Sequence, residues 1–278
     1  MNITGHTRLI AHLGFPTHSF KAPMIYNPWF EETGADVVVT PMGVRAEDLA
    51  VFLPPLFRLG NICGALITMP HKVAVVSLLD EVSTAVKVAG ACNAVRLRGD
   101  GKLIGDIFDG EGFVRGLRNK GQALEGGRVL CVGCGGVGSA IAASLAGAGV
   151  AELHLFDAHA PSAEGLAGRL RTHYPKLKVV TGGNDPAGFD IVLNATPMGM
   201  AKGDPMPMDV ARIAPSAFVG EVVMEREMTQ FLTAARDRGC RVQVGVDMLF
   251  EQIPAYLEFF GLPVTTPAHL REIARIAY

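Results

Sequence analysis

Four closely spaced glycines place the strongest constraint on how this chain folds. In Val129-Leu-Cys-Val-Gly-Cys-Gly-Gly-Val-Gly-Ser-Ala140, Gly133, Gly135, Gly136 and Gly138 separate an apolar run from an alanine-rich one. The first run reads as a strand and the second as a helix, which makes the glycines a strand-to-helix turn. A diphosphate bound at such a turn comes close to the backbone, where any Cβ would intrude, and rests on the unpaired amides at the helix start. Equally dense glycines would also let a helix pack tightly on a sheet, so the surrounding pattern decides the reading. After the turn, strand patterns recur at 152–157, 178–181, 190–194, 218–223 and 241–245. Helical patterns at 161–173 and 229–238 lie between them, and helices over 248–260 and 267–276 close the chain. The second strand ends at Asp157, 24 residues after Gly133. A carboxylate there binds both ribose hydroxyls of adenosine and repels a 2′-phosphate, and Ala158-His-Ala-Pro161 offers no arginine to clamp one. NAD is therefore favoured over NADP, the competing role for Asp157 being a helix cap ahead of Pro161.

The first half repeats the alternation. Strands are expected at 9–13, 36–42, 64–68 and 94–97, and helices at 23–33, 46–57 and 72–89, which predicts a mostly parallel sheet covered on both faces. The segment 105–119 leads into turn-forming residues over 121–127, where the pattern by itself places the boundary between the two halves. The fold class is thus α/β, with an N-terminal α/β substrate domain, a C-terminal Rossmann-type dinucleotide-binding domain and a ligand cleft between them.

Composition narrows the function. The chain has 278 residues, 25 basic against 27 acidic side chains and only 19% charged residues, which gives no reason to expect nucleic acid or an anionic membrane as partner. A hydrophobic fraction of 49% argues for a large core, with room for a homodimer interface that nothing in the sequence localises. No apolar run approaches the roughly 18 residues of a membrane span. No secretory signal precedes the fold, so a cytoplasmic setting is expected. Cys63, Cys92, Cys131, Cys134 and Cys240 are odd in number and irregularly spaced, as reduced thiols are. Cys131-x-x-Cys134 reads as packed thiols; a zinc or redox role is the alternative, but there is no second pair, and no metal is expected.

Polar residues at strand ends supply the remaining chemistry. Thr68-Met-Pro-His-Lys72 follows a strand and opens the expected helix, where a cation opposes the helix dipole and calls for compensation. Asp106 and Asp109 in Gly105-Asp-Ile-Phe-Asp-Gly110 provide carboxylates, and Asn93 adds a neutral hydrogen-bonding group.

These motifs, in this order, resemble the shikimate dehydrogenase family. The blocks that carry the resemblance are Leu66-Ile-Thr-Met-Pro-His-Lys72, Gly90-Ala-Cys-Asn-Ala94, Gly105-Asp-Ile-Phe-Asp-Gly110, Gly133-Cys-Gly-Gly136, Asn194-Ala-Thr-Pro-Met-Gly-Met200 and Gly245-Val-Asp-Met-Leu-Phe-Glu-Gln252. The resemblance implies a substrate domain over 1–108 with helices of 249–278 packing back on it, and an NAD(P)-binding domain over 109–248. It implies hydride transfer between a nicotinamide cofactor and a ring hydroxyl, with Lys72 and Asp109 as the catalytic pair that handles the proton. Substrate contacts fall to Ser19, Lys21, Thr68, Asn93, Met224 and Gln252. Cofactor contacts fall to Gly133, Gly135, Gly136, Val137, Gly138, Asp157, Thr196, Pro197, Met198, Gly199, Val222, Gly245 and Met248.

The departures bear on the substrate. The family's His-Ser-x-Ser-Pro carboxylate site stands here as His18-Ser-Phe-Lys-Ala-Pro23, one residue longer, with Lys21 offering a charge and Ala22 where a serine is expected. Met224 replaces a tyrosine, Leu66 an asparagine, and Ile107-Phe108 an Asn-Thr pair. Part of the site is therefore more apolar than a shikimate pocket. Met198, Met200, Met224 and Met248 either line the nicotinamide pocket or pack in the core, and His18 and His71 flank the site in roles more often structural or solvated. The expected substrate is a shikimate- or quinate-like cyclic acid. The alternatives are an aminated or otherwise different small hydroxy acid, and a dinucleotide-binding regulatory protein without turnover.

Overall fold

The computed structural model describes residues 2–276 apart from Lys202, with the side chain of Ser19 outside the described set. The chain divides into two compact units, Met1–Val86 with Gly90–Phe108 and Ile253–Tyr278, and Lys87–Ala89 with Asp109–Gln252.

In the first unit, β1 (Arg8–Gly14), β2 (Val37–Gly43), β3 (Ile62–Ile67), β4 (Glu81–Val82), β5 (Ala94–Leu97) and β6 (Leu103–Asp106) form one sheet in the order β2-β1-β3-β5-β6-β4. Consecutive residues of β1 are buried, including Ile10, Ala11 and Leu13, so both faces of this central strand are covered and its sequence is a continuous apolar run. Helix α1 (Pro23–Thr33) opens with proline at its first position and stops at Gly34, whose φ of 68° suits a left-handed cap. Helix α2 (Leu49–Leu56) follows β2.

The sheet is mostly parallel as expected, with β1–β2, β1–β3 and β4–β6 parallel, but β5 runs antiparallel to both β3 and β6. The connection Arg98-Gly-Asp-Gly-Lys102 closes with Arg98 N–H donating to the Lys102 carbonyl at 2.9 Å, and a link that short permits only a hairpin. Strand β6, unforeseen, is the return arm. The expected helix over 72–89 is not a single one. It breaks into a 3-10 turn at Ala74–Leu78, β4, and α3 (Thr84–Ala89). The amides of Asp80 and Ser83 donate to the carbonyls of Leu103 and Gly105 on β6, and the Ser83 hydroxyl accepts from Val86 N at 3.3 Å to start a new helix. Pairing with β6 thus outcompetes helix propagation through a stretch rich in β-branched valine.

The second unit begins with α4 (Asp109–Asn119) and continues through β7 (Arg128–Val132), α5 (Gly136–Gly147), β8 (Glu152–Phe156), α6 (Ala160–His173), β9 (Lys178–Thr181), β10 (Ile191–Asn194), β11 (Phe218–Glu221), α7 (Gln230–Asp237), β12 (Arg241–Gln243) and α8 (Gly245–Glu251). Its sheet has the order β12-β11-β10-β7-β8-β9, every pair parallel. Strand order reverses between β7 and β10, and ligands of such sheets bind outside the strand ends at that point. The turn-forming residues 121–127 lie inside this unit, between α4 and β7. The core packs Val129, Cys131, Ile141, Leu145, Leu155 and Ile191 among other buried side chains.

The chain then returns to the first unit with α9 (Ile253–Phe260) and α10 (Pro267–Ile273). Helix α9 is separated from α8 at Gln252, where a single helix over 248–260 was expected. The Trp29 indole donates to the Pro263 carbonyl at 2.8 Å and ties this segment to α1. Among the described residues no helix is long and apolar enough to cross a membrane.

Candidate active site

The glycine turn follows β7, and its glycines divide three tasks. Gly133 has a φ of 103°, a conformation L side chains rarely adopt, and turns the chain out of the strand. Gly138 lies against it, and a Cβ there would fall 2.0 Å from the Gly133 carbonyl oxygen, so only glycine lets α5 start this close to the strand. Gly135 is different. A Cβ built on it meets no protein atom within 4 Å, although it occupies the N-cap of α5, where helix amides lack intrahelical partners. Space at Gly135 beside unpaired amides is what a diphosphate needs, and the residues fit a dinucleotide. Val137, in the first turn of α5, packs partly buried on the core.

Asp157, just past β8, is bound into this turn. One carboxylate oxygen accepts from Cys134 N at 2.7 Å and the other from His159 N at 2.8 Å. It does not cap α6, whose N-cap residue is His159. The carboxylate is half-buried with its position fixed by two backbone amides, and each oxygen keeps lone pairs for a ribose. Cys131 and Cys134 are both buried; burial pushes the Cys134 thiol up to about 12 and the Cys131 thiol up as well. They are packed thiols, not thiolates suited to redox or metal chemistry, and no cluster of metal-ligating side chains occurs among the described residues.

Past β10 the chain forms a self-bonded loop. Asn194 Oδ1 accepts from Thr196 N at 3.1 Å and from the Thr196 hydroxyl at 2.6 Å, its Nδ2 donates to the Met198 carbonyl at 3.1 Å, and Met198 N donates to Thr196 Oγ1 at 3.1 Å. Gly199 turns with a φ of 95° and its amide donates to Asp204. Pro197 is exposed and Met198 half-buried. Val222 N donates to the Asn194 carbonyl, bringing the end of β11 alongside. A Cβ on Gly245 would fall 2.1 Å from the Val223 carbonyl, so α8 starts hard against the same strand end. Met248 is packed in the core and Met224 lies partly buried against it, whereas Met200 is exposed.

Glu221, unnoticed in the sequence, is fully buried at the end of β11, opposite Asn194 in the sheet register. Burial pushes its carboxyl up to about 7, partly offset by the Thr229 hydroxyl and the Asn194 amide. The signal that could have found it is a charged residue ending an apolar strand beside another strand that ends in asparagine.

The first unit gathers the other cluster. Half-buried Thr68 follows β3, its amide donating to the Leu13 carbonyl at 2.9 Å. Half-buried Lys72 is no first-turn helix residue, so dipole opposition does not apply to it; its carbonyl accepts from Cys92 N at 2.7 Å, which places it beside Asn93. Asn93 is 1% exposed, and its Oδ1 accepts from Phe108 N at 3.0 Å, but its Nδ2 is sealed off with no partner. A buried donor left unmade costs about 1–3 kcal/mol, which a ligand acceptor would recover. Asp106 is used structurally, accepting from the Ser83 hydroxyl at 2.6 Å. His71 is fully buried, and its Nε2 lies 2.7 Å from the Val44 carbonyl, a tether rather than a ligand-facing group. His18 is exposed and Lys21 half-buried; the Ser19 side chain falls outside the described residues.

His12, on β1, belongs to none of the sequence motifs. It is 8% exposed, its ring stacks on Phe20 with centroids 4.1 Å apart, and burial together with the charge of Lys72 lowers its pKa to about 4. A polar residue inside the apolar run 9–13 was the available signal. Asp109 and Gln252 belong to the second unit. Asp109 is buried in the first turn of α4, where the helix dipole favours a carboxylate, and Gln252 Oε1 is sealed off without a partner.

Fold and glycine turn together define an α/β protein of the dinucleotide-binding class. Residues 13–95 match the shikimate dehydrogenase substrate binding domain, and residues 113–163 match the ThiF family. A shikimate dehydrogenase (NADP(+)) of Geobacter metallireducens is 33% identical over 260 residues, covering 91% of this chain and 90% of that one. Shikimate 5-dehydrogenase from Listeria monocytogenes, solved in complex with shikimate and NAD, superposes with a TM-score of 0.91 at 28% identity, over 98% of both chains. Quinate dehydrogenase from Corynebacterium glutamicum, solved with NAD, gives a TM-score of 0.87 at 32% identity over 96% of this chain and 98% of that one. The chain belongs to the shikimate dehydrogenase family, oxidoreductases that act on CH–OH groups with a nicotinamide cofactor.

Proposed function

We propose that the protein is an NAD-preferring dehydrogenase that interconverts a ring hydroxyl and ketone of a shikimate- or quinate-like cyclic acid. The observation that carries the cofactor preference is the fixed Asp157 carboxylate, bonded to both Cys134 N and His159 N, at the position that meets an adenosine ribose. A 2′-phosphate would face that charge without a basic partner in Ala158-His-Ala-Pro161. Gly133, Gly135, Gly136 and Gly138 would hold the diphosphate, while Thr196, Pro197, Met198, Gly199, Val222 and Gly245 would surround the nicotinamide end. The nicotinamide, when bound, supplies the hydride acceptor.

This chain's own residues handle the rest. Lys72 hydrogen-bonds the substrate hydroxyl and takes up its proton as the carbonyl forms, and Asp109 supplies the acidic group of the reaction. Asn93 Nδ2 donates to a second hydroxyl, which supplies the partner it lacks; Thr68 and Gln252 hold others, and Lys21 pairs with the carboxylate. Met224 replaces a polar family residue with an apolar wall, in keeping with an altered ring substituent. Five free thiols agree with a reducing, cytoplasmic setting. Initial rates with shikimate and with quinate, each with NAD and NADP, test the reading. Reduction of NAD at higher kcat/KM than NADP by one of these acids is expected, and no reduction of either cofactor would overturn it.

A further inference from the structure

We propose that His12 is a specificity-determining residue that donates a hydrogen bond from its ring to a substrate oxygen; this rests on the ring-acid reading of the same site. Three observations place it. The parallel register sets His12 against Leu66 and Leu13 against Ile67, so the two-residue strand period carries His12 and Gly14 to the sheet face shared with Leu66 and Thr68. On that face a Cβ at Gly14 would fall 2.4 Å from Thr68 Cγ2 and 2.8 Å from Phe20 Cζ, so the ring stacked on His12 and the Thr68 methyl both flank Gly14. Lys72 is close enough for its charge to act on the imidazole.

Chemistry then selects the role. His12 Nδ1 is sealed off with no partner, whereas Nε2 is not among the sealed, unpartnered atoms, which leaves Nε2 as the ring nitrogen able to meet a ligand. Beside a lysine charge and largely desolvated, the ring is neutral and carries one proton. An unpaired acceptor lone pair is better tolerated in a buried position than an unpaired N–H, which puts the proton on Nε2. His12 then presents an N–H donor beside the Lys72 charge, matched to a substrate dense in oxygen acceptors.

The test compares His12→Phe, which keeps the stack on Phe20 and removes the donor, with His12→Gln, whose Nε2 restores a donor near the same place. With the preferred ring acid and NAD, His12→Phe should raise KM about tenfold with NADH affinity unchanged, and His12→Gln should recover most of it. An unchanged KM in His12→Phe, or a loss that His12→Gln does not repair, would overturn the assignment in favour of ring packing. Wild-type enzyme that turns over neither acid would remove the ring-acid reading, whereas turnover indifferent to His12→Phe removes His12 alone.

Discussion

Replacing Gly135 or Gly138 by alanine adds the same methyl group three residues apart, yet the two variants should fail in opposite ways. At Gly138 the new Cβ would stand 2.0 Å from the Gly133 oxygen and 3.1 Å from the Ala195 Cβ. An overlap above 1 Å must be relieved by moving α5 away from the β7 turn, and overpacking of this kind costs about 3 kcal/mol. At roughly 3 °C per kcal/mol for a chain of this size, the melting transition should drop by about 9 °C. At Gly135 the added Cβ meets no atom, and the backbone already sits at φ −71° and ψ −168°, which alanine adopts freely. Alanine restricts the unfolded chain, worth about 0.4–1 kcal/mol, but is a poorer N-cap by a similar amount. Stability should therefore change little, while on the proposed reading the methyl stands in the path of the diphosphate. Loss of one or two charge-assisted hydrogen bonds, each about 1.5–3 kcal/mol, weakens binding by at least tenfold. Thermal melts and NADH titrations of both variants check this. Gly135→Ala binding NADH as tightly as wild type would remove the diphosphate from the turn, and Gly138→Ala melting at the wild-type temperature would refute the packing claim.

Further outcomes follow from the same geometry. Glu221 titrates at about 7 in the fold against 4.5 unfolded, so the native state holds the proton longer and stability declines as pH rises across that interval, by about 3 kcal/mol at 1.36 kcal/mol per unit. Glu221→Gln should gain that amount relative to wild type between pH 4.5 and 7; the difference isolates Glu221 from His12, whose lowered pKa makes stability rise with pH. A pH-independent difference in denaturation midpoints would show that the carboxyl is not raised. Lys72→Ala should cut kcat by about 10²–10⁴ with NADH affinity intact, and single-turnover rates equal to wild type would exclude Lys72 from proton handling. Asp157→Ser should narrow the NAD over NADP ratio of kcat/KM by tenfold or more, and an unaltered ratio would leave Asp157 only as a brace for the glycine turn.

The second unit was the more legible half, because its signals are local. A strand, a glycine turn and a small-residue helix are encoded within Val129–Ala140, the apolar run ahead of the turn forms β7, and the predicted strand at 178–181 coincides with β9. The segment 72–89 was not legible, since its fate depends on β6, which approaches from a hairpin more than a dozen residues later. His12 and Glu221 were overlooked for a related reason: each is one polar letter in an apolar strand, and only its neighbours give it a chemical state.

The sequence by itself determined the strand, glycine turn and helix that open the second unit's sheet and the position of the carboxylate that follows, because those rest on backbone sterics and spacing within one βαβ segment. Tertiary structure alone decided that Gly135 faces open space while Gly138 is closed in, that Asn93 Nδ2 is left without a partner, and that His12 and Glu221 are desolvated. Exposure, missing partners and shifted proton affinities arise from atoms distant in the chain, so they exist only once the chain has packed.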